Sequence, residues 1–114
     1  MGSGPETKLV GNIVTALKRE FPGIWWMKTH GDGYQRTGIP DLIGCVEGAF
    51  FALEVKAPKP GEKPETIKGR ATAKQLEELA GIREAGGTQA IVWNVGAAIE
   101  VVQRAVDWAR SPLL

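Results

Sequence analysis

Two short apolar runs, Ile39 to Val46 and Ala49 to Ala57, are separated only by Glu47-Gly48, and no other feature of this 114-residue chain restricts its fold as tightly. Runs of that length around two turn residues predict an antiparallel hairpin. Pairing then runs outward from Val46 and Ala49, so that Leu42 faces Leu53 and Asp41 faces Glu54. Side chains alternate between faces, which sets Glu54 and Lys56 on one face with Asp41 level with Glu54, and gives Leu42, Leu53 and Val55 the other. Opposed Cβ atoms are about 5 Å apart, and like charges that close oppose folding, so the two acids need a compensating cation. Lys56 alone would make a salt-bridged triad on a sheet surface. A divalent ion would serve as well, and hard carboxylates with no accompanying His or Cys favour Mg²⁺ over zinc. Pro40 withholds a backbone donor at the strand entry, which suits a strand end near a site. The apolar neighbours partly desolvate the three charges, the situation that perturbs pKa values at working sites.

The rest of the chain supplies what packs on that hairpin. Leu9, Val10, Ile13, Val14, Leu17 and Phe21 recur at helical spacing, which predicts a helix from Pro5 to Phe21 stopped by Pro22-Gly23. Ile24 to Thr29 reads as a strand, Gly31 to Tyr34 as a loop, and Pro58 to Gly69, with its prolines and charges, as a mobile loop. Thr72 and Gln75 form a capping box for a helix to Ala85, with Leu76, Leu79 and Ile82 or Arg83 recurring helically. Thr88 to Asn94 reads as a strand, and Ala97 to Arg110 as a helix burying Val101, Val102, Ala105, Val106 and Ala109. The order αβββαβα predicts an α/β sandwich around a mixed sheet.

At 43% hydrophobic and 24% charged, the chain suits one domain spanning 5–114, Met1 to Gly4 being read as start residues or an expression scar. A chain of this size can bury about two-thirds of its unfolded surface without staples. Cys45 is the single cysteine and His30 the single histidine, which excludes an internal disulfide and a Cys/His zinc site. His30 reads as a surface or cap residue and Cys45 as packing. With no membrane-length apolar run and no signal-peptide layout, a cytoplasmic protein without membrane contact is expected. Trp25, Trp26, Trp93 and Trp108 are expected mostly in the core, alternation leaving one of Trp25 and Trp26 outside for a partner copy. A net charge of +1 does not advertise a nucleic-acid protein. Residues 56–76, however, hold six Lys/Arg against two Asp/Glu, which taken alone reads as a solvated loop.

Ile39-Pro40-Asp41, followed thirteen residues after Asp41 by Glu54-Val55-Lys56, resembles the PD-(D/E)xK nuclease core. The phrases Gly38-Ile39-Pro40-Asp41-Leu42-Ile43 and Leu53-Glu54-Val55-Lys56 are similar to the VRR-NUC family, as is the order of elements over residues 6–95. The resemblance implies a restriction-endonuclease-like αβββαβ core and a nuclease that uses Mg²⁺ or Mn²⁺. It implies that Asp41, Glu54 and the main-chain carbonyl of Val55 hold the metal and that Lys56 orients or activates the attacking water. Glu6 would complete the metal shell directly or through water, and Gln75 would line the site. Because small standalone members of that family from phages and bacteria tend to pair as dimers and can act on branched DNA such as four-way junctions, the resemblance implies the same partner copy and substrate here.

Chemistry agrees with these roles. Phosphodiester hydrolysis needs a hydroxide near neutral pH and neutralisation of charge on the phosphoryl oxygens, and a carboxylate-held Mg²⁺ answers both needs, as one ion or two. Lys56 could accept a proton or hold water and phosphate in line, and the positioning role is preferred. Lys59, Lys63, Lys68, Arg70 and Lys74 follow the strand bearing Glu54 and Lys56, so beside such a site DNA contact becomes the favoured reading. Tyr34 and Arg36, in the loop leading to Asp41, fit a phosphate clamp and a solvated loop equally. No base-reading helix is evident, so recognition of backbone shape is expected. The function expected is a metal-dependent endonuclease, a homodimer cutting structured DNA in phage or bacterial replication and repair. The alternatives are a non-catalytic DNA-binding module and an interaction domain of the same fold.

Overall fold

The computed structural model describes residues 4–29 and 35–111. The chain runs α1 (Pro5–Glu20), β1 (Trp25–Lys28), β2 (Leu42–Val46), β3 (Ala49–Val55), α2 (Pro64–Lys68), α3 (Ala73–Glu84), β4 (Thr88–Val92) and α4 (Val95–Arg110). One sheet holds the strands in the order β1-β2-β3-β4, antiparallel except for the parallel pair β3 and β4. This is the mixed, helix-flanked α/β sheet expected from the sequence.

The hairpin closes through Glu47 and Gly48, both at positive φ, 52° and 79°. Such values are what a two-residue turn needs if its twist is to match the strands. The left-handed conformation costs Glu47 something, and its carboxylate is held at 2.7 Å by Arg110 at the end of α4. The register, Val46 opposite Ala49 through Leu42 opposite Leu53, is the one the turn predicts.

One face of the sheet carries Leu42, Val46, Phe51, Leu53 and Val55, all buried against the apolar stripes of α1 and α4. Burying each such side chain fully stabilises the fold by about 1.5–3 kcal/mol, which makes this layer the main anchor of the hairpin. On the opposite face α3 packs against β3 and β4. Trp25 (56%), Met27 (45%) and Phe50 (41%) remain exposed there.

Several expectations are corrected. The segment 58–69 is not simply a mobile loop: Pro64 starts α2, and Ile67 is buried. Proline at the first helical position forfeits no hydrogen bond, so a proline-rich stretch can still nucleate a turn of helix. Trp108 is 69% exposed rather than in the core, and Ala109 is exposed. On α3 only Leu79 is buried, and Leu76 is 51% exposed. Among the described residues no helix is long and apolar enough to cross a membrane.

Candidate active site

The register of the sheet builds the site. Thr29 N–H donates to the Asp41 carbonyl at 2.9 Å, which carries the β1 and β2 pairing one step past the ends of both strands. The same step along the hairpin sets Asp41 opposite Glu54, and Glu54 is paired with Ile91 on β4. One row thus crosses the sheet as Thr29, Asp41, Glu54 and Ile91, on the face away from α1 and α4.

Asp41 is fixed within that row. Its Oδ2 accepts the Val55 N–H at 2.7 Å, a charge-assisted bond that stands in for the ladder bond beyond the end of β2. Lys56 N–H donates to the Val92 carbonyl at 2.9 Å on the opposite side, so Val55 directs its amide, and with it its carbonyl, toward Asp41. The Val55 carbonyl therefore points to the side of the strand from which Asp41 comes.

Glu54 is 2% exposed. Its Oε2 accepts from Gln75 Nε2 at 3.0 Å and lies 3.5 Å from Lys56 Nζ. Its Oε1 is buried and has no hydrogen-bond partner among the described residues. Burial, followed by the charge of Asp41, pushes the Glu54 carboxyl up to about 8, with Lys56 opposing. One lysine does not satisfy the pair. A buried oxygen without a donor, beside a second carboxylate and a backbone carbonyl, is a set of hard ligands short of a cation, and it fits Mg²⁺ or Mn²⁺.

Gln75 uses both ends of its amide. Oε1 accepts the Thr72 N–H at 2.9 Å in the capping box that starts α3, while Nε2 reaches Glu54. The cap of the helix and the orientation of the acid are therefore set by one side chain. The loop carrying Asp41 is seated on the same turn through Gly38. Gly38 has φ +92°, and a Cβ there would lie 2.6 Å from the main-chain carbonyl of Lys74. The sequence shows a glycine before Ile39-Pro40 but not the helix that it meets. Arg36 completes the joint with a two-pronged ion pair to Glu78 of α3, at 2.7 and 2.8 Å.

The remaining expected residues are dispersed. Glu6 is exposed in the first turn of α1, and no group of three His, Cys, Asp or Glu forms among the described residues, so it is not gathered with Asp41 and Glu54. Arg70 pairs with Glu62 at 2.9 Å and donates to the Ala57 carbonyl at 2.7 Å, which makes it a staple of the 57–70 segment rather than a free phosphate ligand. The hydrogen bond from Arg70 also holds the Glu62 carboxyl below its usual range. Lys68 lies 5.2 Å from the centroid of the Trp93 ring. Lys59, Lys63 and Lys74 are exposed, Lys74 beside Gly38. Tyr34 and His30 lie outside the described residues. A cleft of about 300 Å³ opens beside Asp41, lined by Thr29, Arg36 and Gly38 among others.

Neither models of protein families nor curated proteins match the sequence. Solved structures do match. A VRR_NUC domain protein superposes with a TM-score of 0.66 at 18% identity over 94% of this chain and 92% of its own. A second chain, described as a VRR_NUC domain, gives 0.56 at 24% identity over 82% and 92%. Hjc from Archaeoglobus fulgidus, a Holliday junction resolvase, gives 0.58 at 21% identity over 77% of this chain and 67% of that one. Strand order, flanking helices and these superpositions agree, and the chain has the restriction-endonuclease-like fold of the VRR_NUC domains.

Proposed function

We propose that this chain is a divalent-metal-dependent deoxyribonuclease that hydrolyses phosphodiester bonds in branched DNA, acting as a homodimer. The observation that carries the reading is the Glu54 carboxylate, buried against a second acid with one oxygen that has no donor among the described residues. Asp41, Glu54 and the Val55 carbonyl are the residues to hold Mg²⁺ or Mn²⁺. When bound, such an ion supplies the acidity that yields hydroxide near neutral pH and the charge that offsets anion build-up on the phosphoryl oxygens.

The chain's own residues do the rest. Lys56, its side chain 11% exposed and beside Glu54, is placed to hold the attacking water and a phosphoryl oxygen in line. Gln75 holds Glu54 in a single orientation. The Val55 amide does the same for Asp41. Exposed Lys59, Lys63 and Lys74 offer backbone phosphate contacts without base readout, which suits recognition by shape. Branched DNA as the substrate is favoured by likeness to a protein described as a Holliday junction resolvase.

The test is a cleavage assay on four-way junctions, flaps and linear duplexes with Mg²⁺ or Mn²⁺. Metal-dependent cutting of the branched substrates is expected, reduced by about 10²-fold or more in Asp41→Ala and Lys56→Ala. Tight binding without cutting would replace the enzyme with a DNA-binding module. Neither cutting nor binding would leave an interaction domain.

A further inference from the structure

The far edge of the sheet carries a second feature that the nuclease reading does not use. β4 pairs only with β3, and its outer edge opens into a groove of about 750 Å³ between α3 and α4. The Lys56 N–H reaches the Val92 carbonyl, so Val92 turns its backbone groups inward. By alternation Ala90 does the same, while Gln89 and Ile91 turn theirs outward. Among the described residues neither of these two makes a backbone hydrogen bond on the outer side. The edge reads TQAIV, with neither the charge nor the proline that commonly protects an open strand.

The groove has a definite chemistry. Leu76 and Trp93 contribute apolar wall, while Lys68, Arg83 and Arg104 set three cations against the single carboxylate of Glu100. Arg83 and Arg104 make no ion pair among the described residues. We infer that the β4 edge is a docking groove for an extended acidic segment of a partner protein, bound as an added strand. Backbone hydrogen bonds from Gln89 and Ile91 supply registration. Side chains on the two faces of the added strand turn to α3 and to α4, so carboxylates meet Arg83 on one side and Arg104 on the other, while apolar side chains rest on Leu76 and Trp93. A second copy is disfavoured because edge-to-edge pairing would bring the same three cations against their equivalents. DNA is disfavoured because a duplex backbone offers no amide groups to pair with the outward N–H and C=O of β4 and no apolar side chains for Leu76 and Trp93. The inference stands whether or not the chain cuts DNA.

The probe is a short fluorescein-labelled Asp/Val peptide of repeated Asp-Asp-Val-Val, which shows both residue types on each face of a strand, followed by anisotropy with the full chain. Binding is expected, with none for the corresponding Lys/Val peptide. The double variant R83E/R104E should weaken binding by about tenfold or more. Gln89→Pro removes an outward N–H where an edge strand tolerates proline, and it should weaken binding similarly with an unchanged circular dichroism spectrum. Should that variant misfold, N-methylation of alternate peptide residues applies the same test from the ligand's side. The inference is overturned if the Asp/Val peptide does not bind, or if binding ignores both charge reversal and N-methylation. It is also overturned if duplex DNA displaces the peptide competitively. Light scattering that shows a dimer broken by Gln89→Pro would give the edge to a second copy instead.

Discussion

Glu54 is where the electrostatics of this protein concentrate. Burial and the neighbouring Asp41 raise its carboxyl from an ordinary 4.5 to about 8, so the folded state holds a proton that the unfolded chain releases. The sign follows: the metal-free protein is favoured most below about pH 4.5 and loses that contribution as pH rises toward about 8. Glu54→Gln keeps the shape and the acceptor for Gln75 but carries no charge. It should change the melting temperature little at pH 5 and raise it at pH 9, by an amount equivalent to about 1–3 kcal/mol, the scale of an unsatisfied buried polar group. A variant equally or less stable at pH 9 would show that the acid is not strained by its surroundings. The same proton governs metal uptake. Binding of Mg²⁺ or Mn²⁺ at pH 7 should release about one proton, and fewer above pH 8, measurable by calorimetry in buffers of different ionisation enthalpy. Uptake without proton release would place the ion elsewhere.

Between the elements, Gly38 is the joint that sets one acid against the helix orienting the other. Two glycines at similar positive φ separate the causes of any defect: a Cβ added at Gly38 would lie 2.6 Å from the Lys74 main chain, whereas one added at Gly48 has nothing within 4 Å. Gly48→Ala should cost only the backbone strain, about 1 kcal/mol. Gly38→Ala adds overpacking of about 1–3 kcal/mol, which the loop relieves by moving off α3. Urea unfolding should therefore rank Gly38→Ala as the less stable, and its DNA cleavage should fall out of proportion to that loss. Equal effects of the two substitutions would remove the joint. Thr72→Ala tests the same connection from the helix side. Losing the cap costs about 1 kcal/mol and loosens the turn from which Gln75 holds Glu54.

These joints mark the boundary of what the sequence reveals. The Glu47-Gly48 turn fixes pairing by local chemistry, so Leu42 opposite Leu53, and hence the row of Asp41 and Glu54, could be read without coordinates. The capping box of Thr72 and Gln75 was equally local. That Gln75 turns its other end to Glu54, that Arg36 belongs to Glu78 and that Arg70 belongs to Glu62 depend on contacts between segments far apart in the chain. A run of lysines and arginines does not say which of them are already paired. Glu6 failed to join the acids for a related reason: helical periodicity fixes which stripe of α1 is buried, not where its first turn ends up across the sheet.

For the molecule as a whole, the rows beside the acids bear on how two copies could meet. Counting from the site toward the hairpin turn, the next rows on the same face are Met27, Ile43 and Ala52, then Trp25, Cys45 and Phe50. Trp25, Met27 and Phe50 remain 41–56% exposed, which is an unusual cost for three large apolar side chains on one face unless something covers them. Their alternation made one exposed tryptophan foreseeable, but not that α3 would leave these strands bare. A second copy seated there would bring the acid rows of the two chains near one another, which is what the proposed paired cutting of a junction calls for. Light scattering at micromolar concentration should give a dimer mass. Trp25→Asp should shift it to monomer by removing an aromatic anchor and burying a charge in its place, with a cost of about 2 kcal/mol or more in association. The monomeric variant should still take up metal, since Asp41, Glu54 and Val55 belong to one chain, while paired cutting of a four-way junction gives way to single nicks. A wild-type monomer, or a dimer indifferent to Trp25→Asp, would show that the exposed face serves some other contact.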